Sequence, residues 1–163
     1  MEAITPFLHY GCSQVKKLSD GNQSSVYSAL RADSVPVVIK CFSKNHELDY
    51  VRELEVLTKI KEKNLYKNGF PLIYSHKEGK KSNEIQMEAL GQNIDQKTIR
   101  NPELCTLKWS YNVCLQILNR LEDLHNLGFI HGDLKLQNVV EGLDDNKTFY
   151  LIDYGLAEKY IDS

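Results

Sequence analysis

Two short runs in the last third of the chain carry side chains that could do chemistry together. The first is His131-Gly132-Asp133-Leu134-Lys135-Leu136-Gln137-Asn138. The second is Asp153-Tyr154-Gly155, directly after the apolar run Phe149-Tyr150-Leu151-Ile152. Asp133 and Asn138 stand five residues apart in one loop, and Asp153 follows on the next hairpin, so three oxygen-bearing side chains can converge on one spot. Such a spot suits Mg²⁺, a hard cation that takes its oxygens from a few side chains and from phosphates. Lys135, set among them, supplies a cation for a phosphoryl group in transfer. Any one of these residues alone reads as part of a polar turn. Two clusters flanked by strands read as a site.

The elements that must position this site follow from the hydrophobic pattern. Val15 to Leu18 and Ser25 to Leu30 are apolar-rich runs joined by the polar stretch Ser19 to Ser24, a hairpin. Val35 to Phe42 is a β-branched third strand. From Leu48 to Lys63 the period changes: Leu48, Val51, Leu54, Val56, Leu57 and Ile60 recur at helical spacing with charges between them. Leu72 to Tyr74 and Ile85 to Met87 are two more strands across the polar turn His76 to Asn83. The first half therefore predicts β-β-β-α-β-β. The second half predicts a long amphipathic helix over 107–127, with Thr106 as N-cap and Gly128 as its stop. Its apolar stripe is Leu107, Tyr111, Cys114, Leu115, Leu118, Leu121, Leu124 and Leu127. An irregular polar loop follows from Phe129 to Asn138, then strands at Val139-Val140 and Phe149–Ile152. Residues 89–106 read as a hinge and connection between a lobe of residues 1–88 and a partial second lobe of 107–163. The predicted class is α+β, with a five-stranded antiparallel sheet.

Composition narrows the function classes. The 163 residues are 42% hydrophobic and 26% charged, which excludes disorder and low-complexity architecture. The net charge of −2 gives no bulk pull toward nucleic acid or anionic membrane. No apolar run nears the roughly 18–20 residues of a membrane span, and Met1–Pro6 lacks the basic and apolar regions of a signal peptide. Cys12, Cys41, Cys105 and Cys114 form no C-x-x-C pair and read as buried or half-buried free thiols in a reducing compartment, cytoplasmic or nuclear. The scattered His9, His46, His76 and His125 read as surface or capping residues.

Read together, these runs resemble a eukaryotic protein kinase. His131 to Asn138 resembles its H-R-D-L-x-x-x-N catalytic loop and Asp153-Tyr154-Gly155 its D-F-G. Upstream and in order, Val37-Val38-Ile39-Lys40 resembles V-A-I-K, and Arg52-Glu53-Leu54 the helix whose Glu53 would pair with Lys40. Met87-Glu88-Ala89-Leu90-Gly91 and Tyr150 to Tyr160 resemble the casein kinase I group, and His-Gly-Asp with Asp-Tyr-Gly its vaccinia-related branch. The resemblance spans residues 10 to 163. It implies a Ser/Thr kinase acting on a protein substrate with ATP and Mg²⁺. It also implies the roles: Asp133 as proton acceptor, Lys135 at the γ-phosphate, Asn138 and Asp153 on the metal, and Lys40, fixed by Glu53, on the α- and β-phosphates. Leu18, Gly21, Val26, Val38 and Val140 would line the nucleotide, with Met87 as gatekeeper and the backbone of Glu88 and Leu90 on adenine.

Departures from the family pattern carry their own expectations. The glycine-rich loop keeps only Gly21, since Ser19 and Ser24 stand where glycines would let backbone approach phosphate. Val38 replaces the usual Ala and adds bulk over the adenine. Gly132 replaces the Arg that gathers an activation-loop phosphate, so no such phosphorylation should be needed. The 163 residues end eight past Gly155, before any A-P-E motif, so the chain reads as a fragment that binds Mg·ATP weakly and transfers phosphate poorly. The alternatives are an impaired pseudokinase or scaffold, and a choline- or aminoglycoside-type small-molecule kinase. The Gly two residues after Asp153 and the Leu90-Gly91 hinge weigh against the small-molecule kinase. Oligomeric state is not readable from the sequence.

Overall fold

The computed structural model describes residues 10–21, 23–145 and 147–160. Two compact units emerge. One takes the described residues of Met1–Tyr50 with Ile73–Ala89, the other those of Val51–Leu72 with Leu90–Ser163.

The first unit is a five-stranded sheet of β1 (Ser13–Asp20), β2 (Ser24–Leu30), β3 (Pro36–Ser43), β4 (Ile73–Glu78) and β5 (Ser82–Glu88), in the order β1-β2-β3-β5-β4. Every pairing in it is antiparallel. The β-branched run in β3 explains why that strand lies at the centre: it can bury side chains on both faces. Val37 and Ile39 point to one face, where they pack with Cys12 and Ala29 under Tyr10, Val15, Tyr27 and Tyr74. Each such aliphatic side chain contributes roughly 1.5–3 kcal/mol by leaving water. On this face Ser75 donates to Gln86 Oε1 at 3.1 Å, and Gln86 Nε2 donates to Cys12 Sγ at 3.4 Å. Burial, with Glu84 nearby, pushes the Cys41 thiol up to about 12, so it stays protonated.

The second unit holds most of α1 (Glu47–Glu62), α2 (Ile94–Arg100), α3 (Leu107–Asn126) and four short strands: β6 (Phe129–Ile130), β7 (Val139–Glu141), β8 (Phe149–Leu151) and β9 (Glu158–Lys159). β6 pairs with β9 and β7 with β8, both antiparallel. Thr106 caps α3 as expected, accepting from Trp109 N–H at 3.2 Å. Gly128, at φ 85°, takes the left-handed turn that ends it. Ile94, Val113, Ile117, Val139 and Phe149 form a core with Trp109 and Leu121 against it. Gln116 reaches from α3 to the start of β8, accepting from Phe149 N–H at 3.0 Å and donating to the Lys147 carbonyl at 2.9 Å.

Three expectations need correction, and one gains detail. The 89–106 connection contains a helix: Asn93 caps α2 by accepting from Gln96 N–H at 2.8 Å. The supposedly irregular loop from Phe129 begins with the paired strand β6. α3 packs only the C-terminal part of its expected apolar stripe, Leu121 and Leu124, and adds Val113 and Ile117 from outside it. Val113, Ile117 and Leu124 are buried, whereas Leu107, Tyr111, Leu115 and Leu118 are exposed. Cys105 and Cys114 are exposed as well, while Cys12 is buried and Cys41 half-buried. Among the described residues no helix is long and apolar enough to cross a membrane. His9 lies outside the described residues.

Candidate functional site

The loop between β6 and β7 is shaped by two residues that a hydrophobic pattern does not notice. Gly132 has φ 78°, and a Cβ placed there would clash with the Leu156 carbonyl oxygen. Only glycine fits both the left-handed conformation and the backbone approach. His131 is buried and joins two loops: its Nδ1 accepts from the Asp133 N–H at 3.2 Å, which puts the ring proton on Nε2 for the 3.1 Å bond to the Ile152 carbonyl. Burial holds its pKa below the ordinary histidine value, against the Ile152 bond and the nearby Asp153 and Asp133. The ring is therefore a neutral strut.

That strut sets the chain for the polar cluster. Asp133 Oδ2 accepts from Lys135 Nζ at 2.5 Å and from Asn138 Nδ2 at 3.0 Å. Asn138 Nδ2 also donates to the Asp133 backbone oxygen at 2.9 Å. Asp133 thus has one carboxylate oxygen engaged, which leaves Oδ1 to take a proton. Asn138 spends both amide hydrogens on Asp133, so its Oδ1 remains an acceptor free of those bonds. The Asn138 carbonyl receives the Ile152 N–H at 3.0 Å, which ties this loop to the end of β8.

Asp153 follows at once, at φ 71°. A non-glycine residue in the left-handed region costs energy, of order 1–3 kcal/mol, and persists where its surroundings hold it. Tyr154 is one such hold: it is fully buried, its hydroxyl donates to the Leu151 carbonyl at 2.5 Å, and its ring packs edge-on to His131 at 5.3 Å. Ala157 N–H bonds the Tyr154 carbonyl at 3.0 Å and closes the turn.

The remaining expected residues divide between the units. In the first, the register sets Val26 opposite Lys40 and Val38 opposite Met87, so these four share one face of the sheet by strand alternation. Glu88 sits opposite Val37 on the other face, Leu18 lies in a bulge of β1, and Gly21 turns the β1–β2 hairpin with its N–H on the Ser24 carbonyl. In the second unit, Glu53 is buried on the α1 face shared with Leu57 and Ile60, as its spacing predicts. Glu55 instead pairs with Lys159 of β9. Leu90 leads into a segment laid along β7: Gly91 N–H bonds the Glu141 carbonyl at 2.8 Å, and Asn93 bridges Val140. Gly91 has to be small, because a Cβ would sit 2.9 Å from the Gly142 carbonyl.

No group of three His, Cys, Asp or Glu side chains forms a metal cluster among the described residues. The donor set nevertheless fits a hard cation shared with phosphate: two carboxylates, Asp133 and Asp153, and one amide oxygen, Asn138 Oδ1, with Lys135 beside them. Mg²⁺ keeps waters and phosphate oxygens as its other ligands, so a full protein cage is not required. His131 and Tyr154 stand inside the two motifs, but their roles depend on the backbone carbonyls of Ile152 and Leu151, which spacing does not reveal. Lys97 carries no signal in the sequence: it pairs with the buried Glu141 at 2.5 Å and fastens α2 to β7.

A strut histidine, a carboxylate with one oxygen outside these bonds and an aspartate turn after a β-hairpin make up the loop pair of the second unit, and the first unit is a five-stranded antiparallel sheet. The protein kinase domain family matches residues 12–163, and the chain belongs to that family. Among curated proteins, it is 30% identical to the serine/threonine-protein kinase spe-6 of Caenorhabditis elegans, over 91% of this chain. The chain spans about two-fifths of that relative's length, the aligned share being 39%.

Proposed function

We propose that this chain is the nucleotide-binding and catalytic-loop part of a serine/threonine protein kinase of the casein kinase I group. The observation that carries the reading is the Asp133 arrangement: Lys135 and Asn138 fix Oδ2 and leave Oδ1 as base, and Asp153 is set in its strained turn. The Asp-Leu-Lys-x-x-Asn order and the likeness to a protein named as a serine/threonine kinase support the specificity. The run Asp153-Tyr154-Gly155-Leu156-Ala157-Glu158-Lys159-Tyr160 and the Leu90-Gly91 hinge support the group.

In this reading Asn138 and Asp153 would hold Mg²⁺, which neutralises charge on the nucleotide phosphates when bound. Asp133 Oδ1 takes the proton of the substrate hydroxyl. Lys135 stays beside Asp133 and offers its charge to the group in transfer. Lys40 holds the α- and β-phosphates, while Val26, Val38, Met87 and Val140 contact adenine and exclude water.

Calorimetric titration with Mg·ATP, on wild type and Lys40→Met, tests the reading. Wild type should bind Mg·ATP and lose about tenfold or more in affinity on substitution. A folded wild type with no detectable heat, or an affinity that Lys40→Met leaves alone, contradicts it.

A further inference from the structure

The family pattern places an aromatic ring after the metal-holding aspartate, and a phenylalanine would satisfy it. This chain has a tyrosine, and the extra oxygen is not idle. It lies in a fully buried side chain and donates to a backbone carbonyl three residues earlier, Leu151 O, at 2.5 Å. The ring so closed encircles Ile152 and Asp153, the one residue of this turn at positive φ. Other bonds fix the flanks, namely Ile152 N–H to the Asn138 carbonyl and His131 to the Ile152 carbonyl. Among the bonds that close over Asp153, the Tyr154 hydroxyl is the one that depends on side-chain identity at position 154. Gly132 leaves this chain without the arginine through which the family pattern couples this region to a phosphate.

We propose that Tyr154 is a positioning residue: its hydroxyl latches the turn so that Asp153 stays in its metal-holding conformation without help from a phosphorylated segment. This rests on the protein kinase reading above. The latch works because the buried hydroxyl has the Leu151 carbonyl as its partner and water is excluded from it. Releasing Asp153 from the left-handed region would break that bond in a place where nothing replaces it. A net hydrogen-bond contribution of this kind corresponds to about a 3- to 10-fold shift in an equilibrium that depends on it.

The test is a double-mutant cycle on the full protein. It reads Mn²⁺ affinity by electron paramagnetic resonance at saturating non-hydrolysable ATP analogue. Tyr154→Phe should weaken Mn²⁺ about 3- to 10-fold, yet change it less than about 1.5-fold in an Asp153→Asn background, and leave adenosine affinity without metal unaltered. Amide exchange at Gly155 should quicken in Tyr154→Phe while α3 keeps its protection. Wild-type Mn²⁺ affinity in Tyr154→Phe overturns the latch. So does an equal loss in both backgrounds, or a Tyr154→Phe chain that no longer folds, since either makes the role merely structural. A wild type that binds nucleotide analogue and Mn²⁺ not at all sinks the kinase reading itself. Amide exchange at Gly155 then still decides the latch, and unchanged exchange refutes it.

Discussion

The sheet face of Lys40 and the loop pair around Asp133 and Asp153 both carry residues of the proposed site, and they are built by different means. On the sheet, register alone does the work. Once β3 pairs with β2 and β5, strand alternation puts Val26, Val38, Lys40 and Met87 on one face. In the loop pair, no ladder fixes the functional residues. They are held by side chain to backbone bonds from His131, Asn138 and Tyr154 and by left-handed backbone at Gly132 and Asp153. A sheet tolerates substitution at a functional position; an interlocked loop pair transmits it.

The largest expected effect sharpens that contrast at the base. Asp133→Asn keeps the shape of the side chain but removes the proposed proton acceptor, and should lower phosphate transfer by about 10²–10⁴-fold. Melting of the Asp133→Asn chain should stay near wild type, because a neutral side chain can still accept from Lys135.

Next comes Gly132→Ala, a change of one methyl group. It forces a Cβ against the Leu156 carbonyl and into left-handed backbone. We expect a loss of roughly 2–3 kcal/mol in denaturant unfolding, together with weaker metal binding as the D-Y-G turn shifts. Val38→Ala on the sheet removes two methyls at a half-buried position and should cost about 1 kcal/mol with nucleotide affinity kept or improved. Equal losses at the two positions would break the comparison.

Lys97→Met should fall between them, at about 1–2 kcal/mol. It leaves the buried Glu141 carboxylate without its cation, discounted for the pair's partial exposure. Lys59→Met, in the exposed pair with Glu62, should cost well under 1 kcal/mol.

A pH dependence probes the same loop pair. Burial lowers the folded-state pKa of His131 below the ordinary value of 6.5, so the unfolded chain takes up its proton first as pH falls. The neutral strut therefore contributes its full stability above about pH 6.5 and loses it progressively as pH drops toward the folded pKa. The slope there is at most about 1.4 kcal/mol per pH unit. Unfolding free energies at pH 7.5 and 5.5 should differ less in His131→Gln than in wild type. An identical pH profile would show that His131 is not the group involved.

How much of this was legible in the sequence follows the same division. The sheet strands, α1 and both ends of α3 announce themselves through period-2 and period-3.6 patterns, Thr106 and Gly128. Polar spacing exposed Asp133, Asn138 and Asp153. What stayed hidden depends on tertiary packing. α2 is seven residues long, too short for a hydrophobic period to repeat. β6 and β9 have two residues each and exist through pairing with one another. The packed face of α3 is chosen by Trp109 and Ile117 meeting Phe149 and Ile94, not by the number of leucines. The Tyr154 hydroxyl looks like any aromatic variation until its acceptor is seen.

The most direct test of the central claim is transfer of the γ-phosphate of Mg·ATP to casein by the full protein, comparing wild type with Asp133→Asn. The account predicts labelled phosphoserine or phosphothreonine from wild type and a loss of at least about 10²-fold in the variant. Undiminished transfer by Asp133→Asn, or no transfer by a folded wild type that binds Mg·ATP, would contradict it.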